Sequence, residues 1–296
     1  MFRGGVPDLL LVGLVTWDRF SGERRAGGAV SYGARAASAM GARAGVLTFG
    51  ADDAPLDAFD GHEVHLVPAE HTRVFIHEPR EGRERRLRIE GAKHSTEMRL
   101  SATDLPAGWA EAPVALLAPL LPMHLDIPSF RTLGAGRVGL LAQGLQRRVT
   151  HAGEVEVVPR PTEALLEACD ERVIVFLSSA ETAGWEPSDF DTVVERARAL
   201  VVTRGAEGAT VREADVEHRI LPTPSRAIDP TGAGDVFATV FTLAFDEGIE
   251  RAGRLASALA AAAAELIGPL PLPPRAEIER RMGVGSDADS TKAACA

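Results

Sequence analysis

At 296 residues the chain can bury a large core, as one big α/β domain or as a domain with an insertion. Hydrophobic residues make up 45% and charged residues 25%, ordinary for a globular chain, and the net charge of -10 leaves no basic field to draw nucleic acid or an anionic membrane. A small anionic ligand is not excluded, because local backbone dipoles rather than net charge would hold it. The two cysteines, Cys169 and Cys295, have no metal-type spacing and fit a reducing cytoplasm.

In chain order, Leu9 to Val15 is a short apolar run, too short to span a bilayer and without the charged leader of a signal. It reads as a strand covered on both faces of a parallel sheet. Asp18 follows it. A carboxylate outside the carboxyl end of such a strand can bind substrate hydroxyls, and it can equally form the turn before Ser21-Gly22. Gly27-Gly28 then opens a small-residue helix that contains Tyr32 and stops at Gly41; the glycine pair can bring backbone N–H groups against a ligand or simply turn the chain. Val46 to Gly50 is a second buried strand.

From His62 to Glu90 the texture changes. His62 to Val67, Arg73 to His77 and Arg85 to Ile89 mix apolar and polar residues around Pro79 and Gly82, which predicts a small insertion of antiparallel strands with one wet face. The basic cluster Arg80, Arg83, Arg85, Arg86 and Arg88 reads as a solvated face, with no interleaved aromatics for nucleic acid. Apolar runs resume at Val114, Val138, Val173 and Ala199, separated by helical stretches such as Thr162 to Cys169 and Ser188 to Arg198. Strand and helix alternate, so the expectation is a doubly wound, mostly parallel sheet. Ser178 to Glu181 and Thr203 to Gly208 each follow a strand end and so fall on the ligand edge. A hairpin around Asp215, the alanine-rich helix from Ala252 to Ile267 and a last turn or two from Arg275 to Met282 complete the ordered chain; residues 283–296 are small, polar and aperiodic, and are expected to be a disordered tail.

The most specific stretch is Asp229-Pro230-Thr231-Gly232-Ala233-Gly234-Asp235, running into apolar positions Val236, Phe237, Val240, Phe241 and Ala244 at helical spacing. A glycine turn opening a helix exposes unpaired N–H groups at the positive end of the dipole, a candidate phosphate cradle. Asp235 would repel an anion there unless it takes a proton from an attacking hydroxyl; otherwise it is a favourable first-turn acid. A TGAGD run would arise by chance about once in a thousand such chains.

The Gly27-Gly28 helix, Thr203-x-Gly205-x-x-Gly208 and Asp229 to Asp235, in this order and spacing, resemble the ribokinase-like (PfkB) carbohydrate kinase family over Leu9 to Met282. The resemblance implies a Rossmann-type α/β sandwich with a small β-sheet lid. The division expected is a kinase domain over 1–61 and 92–282, a lid over 62–91 and the tail. It also implies transfer of the γ-phosphate of ATP to a sugar, polyol or nucleoside hydroxyl, in a cytoplasmic enzyme. Asp235 would be the general base and Gly232, Ala233 and Gly234 the anion hole. Asp18, Gly27, Gly28 and Tyr32 would hold the substrate; Thr203, Gly205, Gly208 and Thr231 would line the nucleotide site. Where the family has Asn-x-x-Glu, this chain has Ser178-x-x-Glu181, so Glu181 would hold Mg²⁺ through water. Many members carry Asn in place of Tyr32, which implies a different or larger substrate, inositol among them, and a side chain that shapes the pocket instead of packing in the core. The partners expected are that small molecule and, for assembly, a homodimer through the lid, with no nucleic acid and no membrane. A nucleoside kinase, or a ligand-binding regulatory homologue that has lost turnover, is the alternative.

Overall fold

The computed structural model describes residues 5–78, 86–90 and 99–290. Strand β1 (Leu9–Gly13) is wholly buried, as its unbroken apolar sequence requires. The chain then leaves the main sheet for a hairpin, β2 (Thr16–Phe20) and β3 (Glu23–Gly27), turning through Ser21 and Gly22 at positive φ. Helix α1 (Ala29–Met40) begins at Gly28 and ends on Gly41 in the left-handed conformation, so the two glycines act as its start and stop. Strand β4 (Ala44–Gly50) returns to the main sheet, followed by β5 (Glu63–Pro68), β6 (Arg73–Glu78) and β7 (Arg86–Ile89). Next come β8 (Val114–Ala118), β9 (Arg137–Leu141) and a short hairpin of β10 (Arg147–Val149) and β11 (Val155–Val157). Helix α2 (Glu163–Ala168), β12 (Val173–Ser178), α3 (Pro187–Val194) and β13 (Ala199–Thr203) alternate, and β14 (Ala209–Glu213) with β15 (Val216–Ile220) form a hairpin. Helices α4 (Ala233–Ala244), α5 (Ile249–Ala264) and α6 (Arg275–Ser290) end the described chain.

The large sheet has the order β15-β14-β13-β12-β9-β8-β1-β4-β5, parallel except for the antiparallel edge of β14 and β15. Alternate strand residues feed two cores. Leu9, Leu11, Val46, Leu116, Ile174 and Val201 pack with α1, α4 and α5 on one face. Leu10, Val12, Leu47, Leu117, Val175 and Leu200 pack on the other with Trp109, Phe130, α2 and α3. Both faces are therefore dry, and this is why the strands read as continuous apolar runs. No helix among the described residues is long and apolar enough to cross a membrane.

A separate four-stranded sheet has the order β3-β2-β6-β7. Two of its strands come from residues 16–27, a stretch expected in the main domain, and the stretch from His62 to Val67 is not in it. That stretch is β5, paired in parallel with β4 at the edge of the large sheet. Its mixed polarity reflects an edge position, not an antiparallel insertion. Arg80, Arg83 and Arg85 lie outside the described residues.

The alternation of strand and helix also fails locally. The connections from β4 to β5 and from β8 to β9 carry 3₁₀ turns at Asp57–Phe59 and Ile127–Thr132 in place of α-helices. Pro122, Pro128 and Gly134 break the second of these before an α-helix can propagate. At the other end α6 runs to Ser290, past Met282 and into the stretch expected to be an aperiodic tail; no proline interrupts it there, and the two glycines lower helix propensity without stopping it. Residues 291–296 lie outside the described residues.

Candidate active site

The turn before α4 is built by its own side chains. The Asp229 carboxylate accepts from the Thr231 N–H at 3.1 Å and the Thr231 hydroxyl at 2.6 Å, an Asx-type lock on the loop. The Ala233 N–H donates to the Pro230 carbonyl at 3.2 Å, so this amide is used to close the turn. Gly232 has φ +80°, and a Cβ there would stand 2.2 Å from the Tyr32 ring; only glycine fits. Gly234 has nothing within 4 Å of a Cβ position, which leaves the helix start open to a ligand.

In front of this turn is a cavity of about 200 Å³, lined by Asp18, Gly28, Tyr32, Thr231, Gly232, Gly234 and Asp235, together with Thr16, Phe75, His77, Gln143 and Arg147. The main domain supplies its floor and the small sheet its roof. Asp18 lies within β2, paired with Arg25 and Phe75, so it is a strand residue and not the turn-former at Ser21-Gly22. Its buried carboxylate accepts from the Thr16 hydroxyl at 3.0 Å and stands 3.5 Å from His77 Nε2. Gly27 does not line the cavity. A Cβ on Gly27 would meet that carboxylate at 2.4 Å, so this glycine makes room for Asp18. The His77 ring stacks on Phe20 at 4.3 Å, and its Nε2 is buried without a hydrogen bond.

Tyr32 combines the two roles of shaping the pocket and packing in the core. It lines the cavity, and at 5% exposure it also packs in the core, because its ring lies flat against Gly232. Burial, then the carboxylates of Asp18, Asp235 and Asp229, push its phenol well above the usual range, so it stays protonated.

Asp235 is pushed up to about 7, chiefly by burial, with Arg147 opposing the shift and Asp18 and Glu181 adding to it. A carboxylate tuned close to neutrality can take up a proton and release it again. Arg147, at the start of β10, is held by the Gln143 Oε1 at 2.9 Å and the Leu120 carbonyl at 3.4 Å.

The remaining predicted residues stand outside the cavity, on the carboxyl edge of β12 and β13. Ser178 and Thr203 are partners across these strands, and Gly205 and Gly208 shape the loop that follows, both at positive φ. The Glu181 carboxylate is tied back to the Ser178 N–H at 2.6 Å and to the Ser178 hydroxyl. Among the described residues no group of three or more His, Cys, Asp or Glu is arranged to hold a metal ion. One carboxylate beside a polyphosphate still suits Mg²⁺, which keeps several waters and draws most of its other ligands from phosphate oxygens.

Residues 171–274, from β12 through α5 and into the loop beyond, match the model of the pfkB family carbohydrate kinases. The chain as a whole is similar to a solved pyrophosphate-dependent kinase in the ribokinase family, complexed with a pyrophosphate analog and myo-inositol (TM-score 0.73, 20% identity, 92% of this chain and 99% of that one). The chain has the ribokinase fold. Arabidopsis thaliana ribokinase complexed with ribose and ATP is also similar (TM-score 0.68, 18% identity, 93% and 98% covered). By sequence, a nucleoside kinase of Methanocaldococcus jannaschii is 30% identical over 112 residues, 36% of this chain and 37% of that relative. The matched stretch thus spans little more than a third of the curated relative's length.

In this ribokinase-fold chain the cavity gathers Asp18, Gly28, Tyr32, Thr231, Gly232, Gly234 and Asp235 at one place. It leaves Gly27 and Ala233 as supports, and Thr203, Gly205, Gly208 and Glu181 on the neighbouring edge. His77, Gln143 and Arg147 were missed. His77 carries no motif, and Arg147 sits on a three-residue strand too short to leave a periodic signal.

Proposed function

We propose that this chain is a phosphotransferase that moves the γ-phosphate of ATP to a hydroxyl of a sugar or polyol, inositol-like acceptors included. One observation carries the reading: a single cavity is lined at once by Asp18, seated on the small sheet, and by Asp235, at the open N-terminal turn of α4. Asp18 accepts hydrogen bonds from acceptor hydroxyls, and His77 beside it orients the same groups. Asp235 takes the proton from the attacking hydroxyl, and the amides of the Gly232–Gly234 turn, chiefly those not used within it, receive the phosphoryl charge. The donor lies along the edge formed by Thr203, Gly205 and Gly208, with Thr231 at its inner end. Mg²⁺ on the phosphates would neutralise charge, and Glu181 would hold one of its waters.

A cavity of about 200 Å³ is smaller than the roughly 300–1,000 Å³ of drug-sized ligand pockets. That size favours one hydroxylated ring over a base joined to a ribose, and so a sugar or polyol over a nucleoside. The small sheet acts as the lid. A reducing cytoplasm suits the buried free thiol of Cys169.

The test is a screen of sugars, inositols and nucleosides with ATP and, separately, pyrophosphate as donor, the latter because the similar inositol-bound structure is of a pyrophosphate-dependent kinase. Acceptor-dependent ADP release with a neutral sugar or polyol is expected. Transfer only to nucleosides, or only from pyrophosphate, would replace the acceptor or the donor in this reading.

A further inference from the structure

Phosphoryl transfer moves a group whose charge is spread over three oxygens, and the helix start at Gly232–Gly234 can face only one side of it. The same cavity also holds a guanidinium. Arg147 lines the same cavity as Asp18, Gly232, Gly234 and Asp235, and its hydrogen bonds go to neutral oxygens, those of Gln143 and the Leu120 backbone. These bonds orient the charge without neutralising it. The adjacent Gln146 is fully buried and ties the base of the hairpin to the main domain through the Arg160 carbonyl at 2.8 Å and the Thr162 N–H at 2.9 Å. Arg147 is therefore held on a fixed base and not on a floppy loop.

Two kinds of ligand could use such a charge: an anionic acceptor or the phosphoryl group in transfer. An anionic acceptor would have to lie against the carboxylates of Asp18 and Asp235, which repel it. A neutral acceptor beside those carboxylates leaves Arg147 to the donor's end. Burial works against the charge on the guanidinium, and the carboxylates of Glu181, Asp235 and Asp18, in falling order, support it.

We propose that Arg147 is a catalytic residue that contacts the phosphoryl group as it passes from donor to acceptor. This rests on the phosphotransferase reading above. In the step, the acceptor oxygen forms a bond to the γ-phosphorus while the bond from that phosphorus to the β–γ bridging oxygen breaks. The electron pair leaves with ADP, and the acceptor proton goes to Asp235. Arg147 exchanges no atoms; it donates N–H groups to the equatorial oxygens, more strongly in the transition state than in either ground state.

The experiment compares wild type with Arg147→Gln and Arg147→Lys, using the best acceptor from the screen. Arg147→Gln should lower kcat by about 10²–10³, the usual loss on removing one such donor, while the acceptor KM stays within about threefold. Arg147→Lys should recover part of the loss, since it keeps the charge but not the fork. Affinity for ADP with aluminium fluoride in the presence of acceptor should fall in parallel with kcat in Arg147→Gln, and affinity for ADP alone should not. If Arg147→Gln does not fold, Gln143→Leu should show the same kcat-selective pattern at smaller size, through loss of the orienting oxygen. Unchanged kcat, or an acceptor KM raised tenfold or more with kcat intact, would overturn the proposal. Absence of transfer in the wild type would instead overturn the phosphotransferase reading, and Arg147's role with it.

Discussion

Asp235 lies where a carboxylate is costly to charge, and two measurable consequences have opposite signs. Because it is active as a base only when ionised, turnover should rise with pH through a midpoint near 7, the value to which burial pushes it, and level off above about 8. Stability should run the other way. A carboxyl whose folded pKa exceeds its unfolded value favours the fold at low pH and loses that contribution as pH rises through the folded pKa. Asp235→Asn should therefore raise the melting temperature at pH 8 and leave it nearly unchanged at pH 4; an equal shift at both would refute the assigned burial cost. Gly232→Ala tests the neighbouring contact. The left-handed φ and the 2.2 Å approach to the Tyr32 ring should together cost about 2–4 kcal/mol in a denaturant titration. At this scale turn chemistry places Asp235 and Gly232 on the cavity, while Asp18 reaches it from within β2 and not from the end of β1 as its sequence position suggests. Tyr32 is half legible: it lines the cavity as expected, but that its ring also packs in the core is revealed only by the approach of α1 to α4.

The small sheet is the element that makes the cavity, and it is stitched to a second element. Arg88 and Glu154 form an antiparallel bridge, the Ile89 N–H donates to the Gly153 carbonyl at 3.0 Å, and Arg86 pairs with Glu154. The tip of the hairpin that carries Arg147 is thus bonded to β7, while its base is anchored in the main domain. Acceptor binding should slow hydrogen exchange in β6 and β7 and, through these bonds, at residues 150–154. Protection that stops at the small sheet would show that the two elements move separately. Sequence patterning found β6 and β7 from their alternation but split the sheet wrongly. The strands from Thr16 to Gly27 sit beside a strong parallel-strand signal and are short, and nothing local shows that the chain leaves one sheet for another. Edge strand β5 misled for the converse reason: half-wet edges of a large sheet and lids of a site have the same polarity pattern.

For the whole molecule, the positions of the buried strands along the chain are readable because both faces of the large sheet are covered and each strand must be apolar throughout. The connections were less readable, since a proline-rich 3₁₀ crossover and a helix can join the same two strands. The last helix closes the α5 side of the fold. Ile278 is buried, and Arg275 bonds both oxygens of Glu247 at 2.7 and 2.6 Å, holding that carboxyl down to about 2. Truncation after Met282 keeps these contacts and should leave the melting temperature and turnover close to those of the full chain. Truncation after Pro274 removes them and should lower the melting temperature by several degrees, at about 2–4 °C per kcal/mol for a domain of this size. Equal melting temperatures for the two truncations would show that α6 contributes little.

In the proposed reaction an acceptor hydroxyl gives up its proton, as it takes a phosphoryl group, in the cavity between the small sheet and the start of α4. The direct measurement is kcat for Asp235→Asn against wild type, with acceptor and nucleotide affinities determined alongside. The substitution keeps the side-chain shape and the helix start but removes the basicity. Turnover should fall by roughly 10²–10⁴, the usual contribution of a general base, acceptor affinity should hold, and ATP should bind as well or better once a like charge is gone. Near-normal turnover, or weakened ATP binding with turnover intact, would show that Asp235 caps the turn and is not the base.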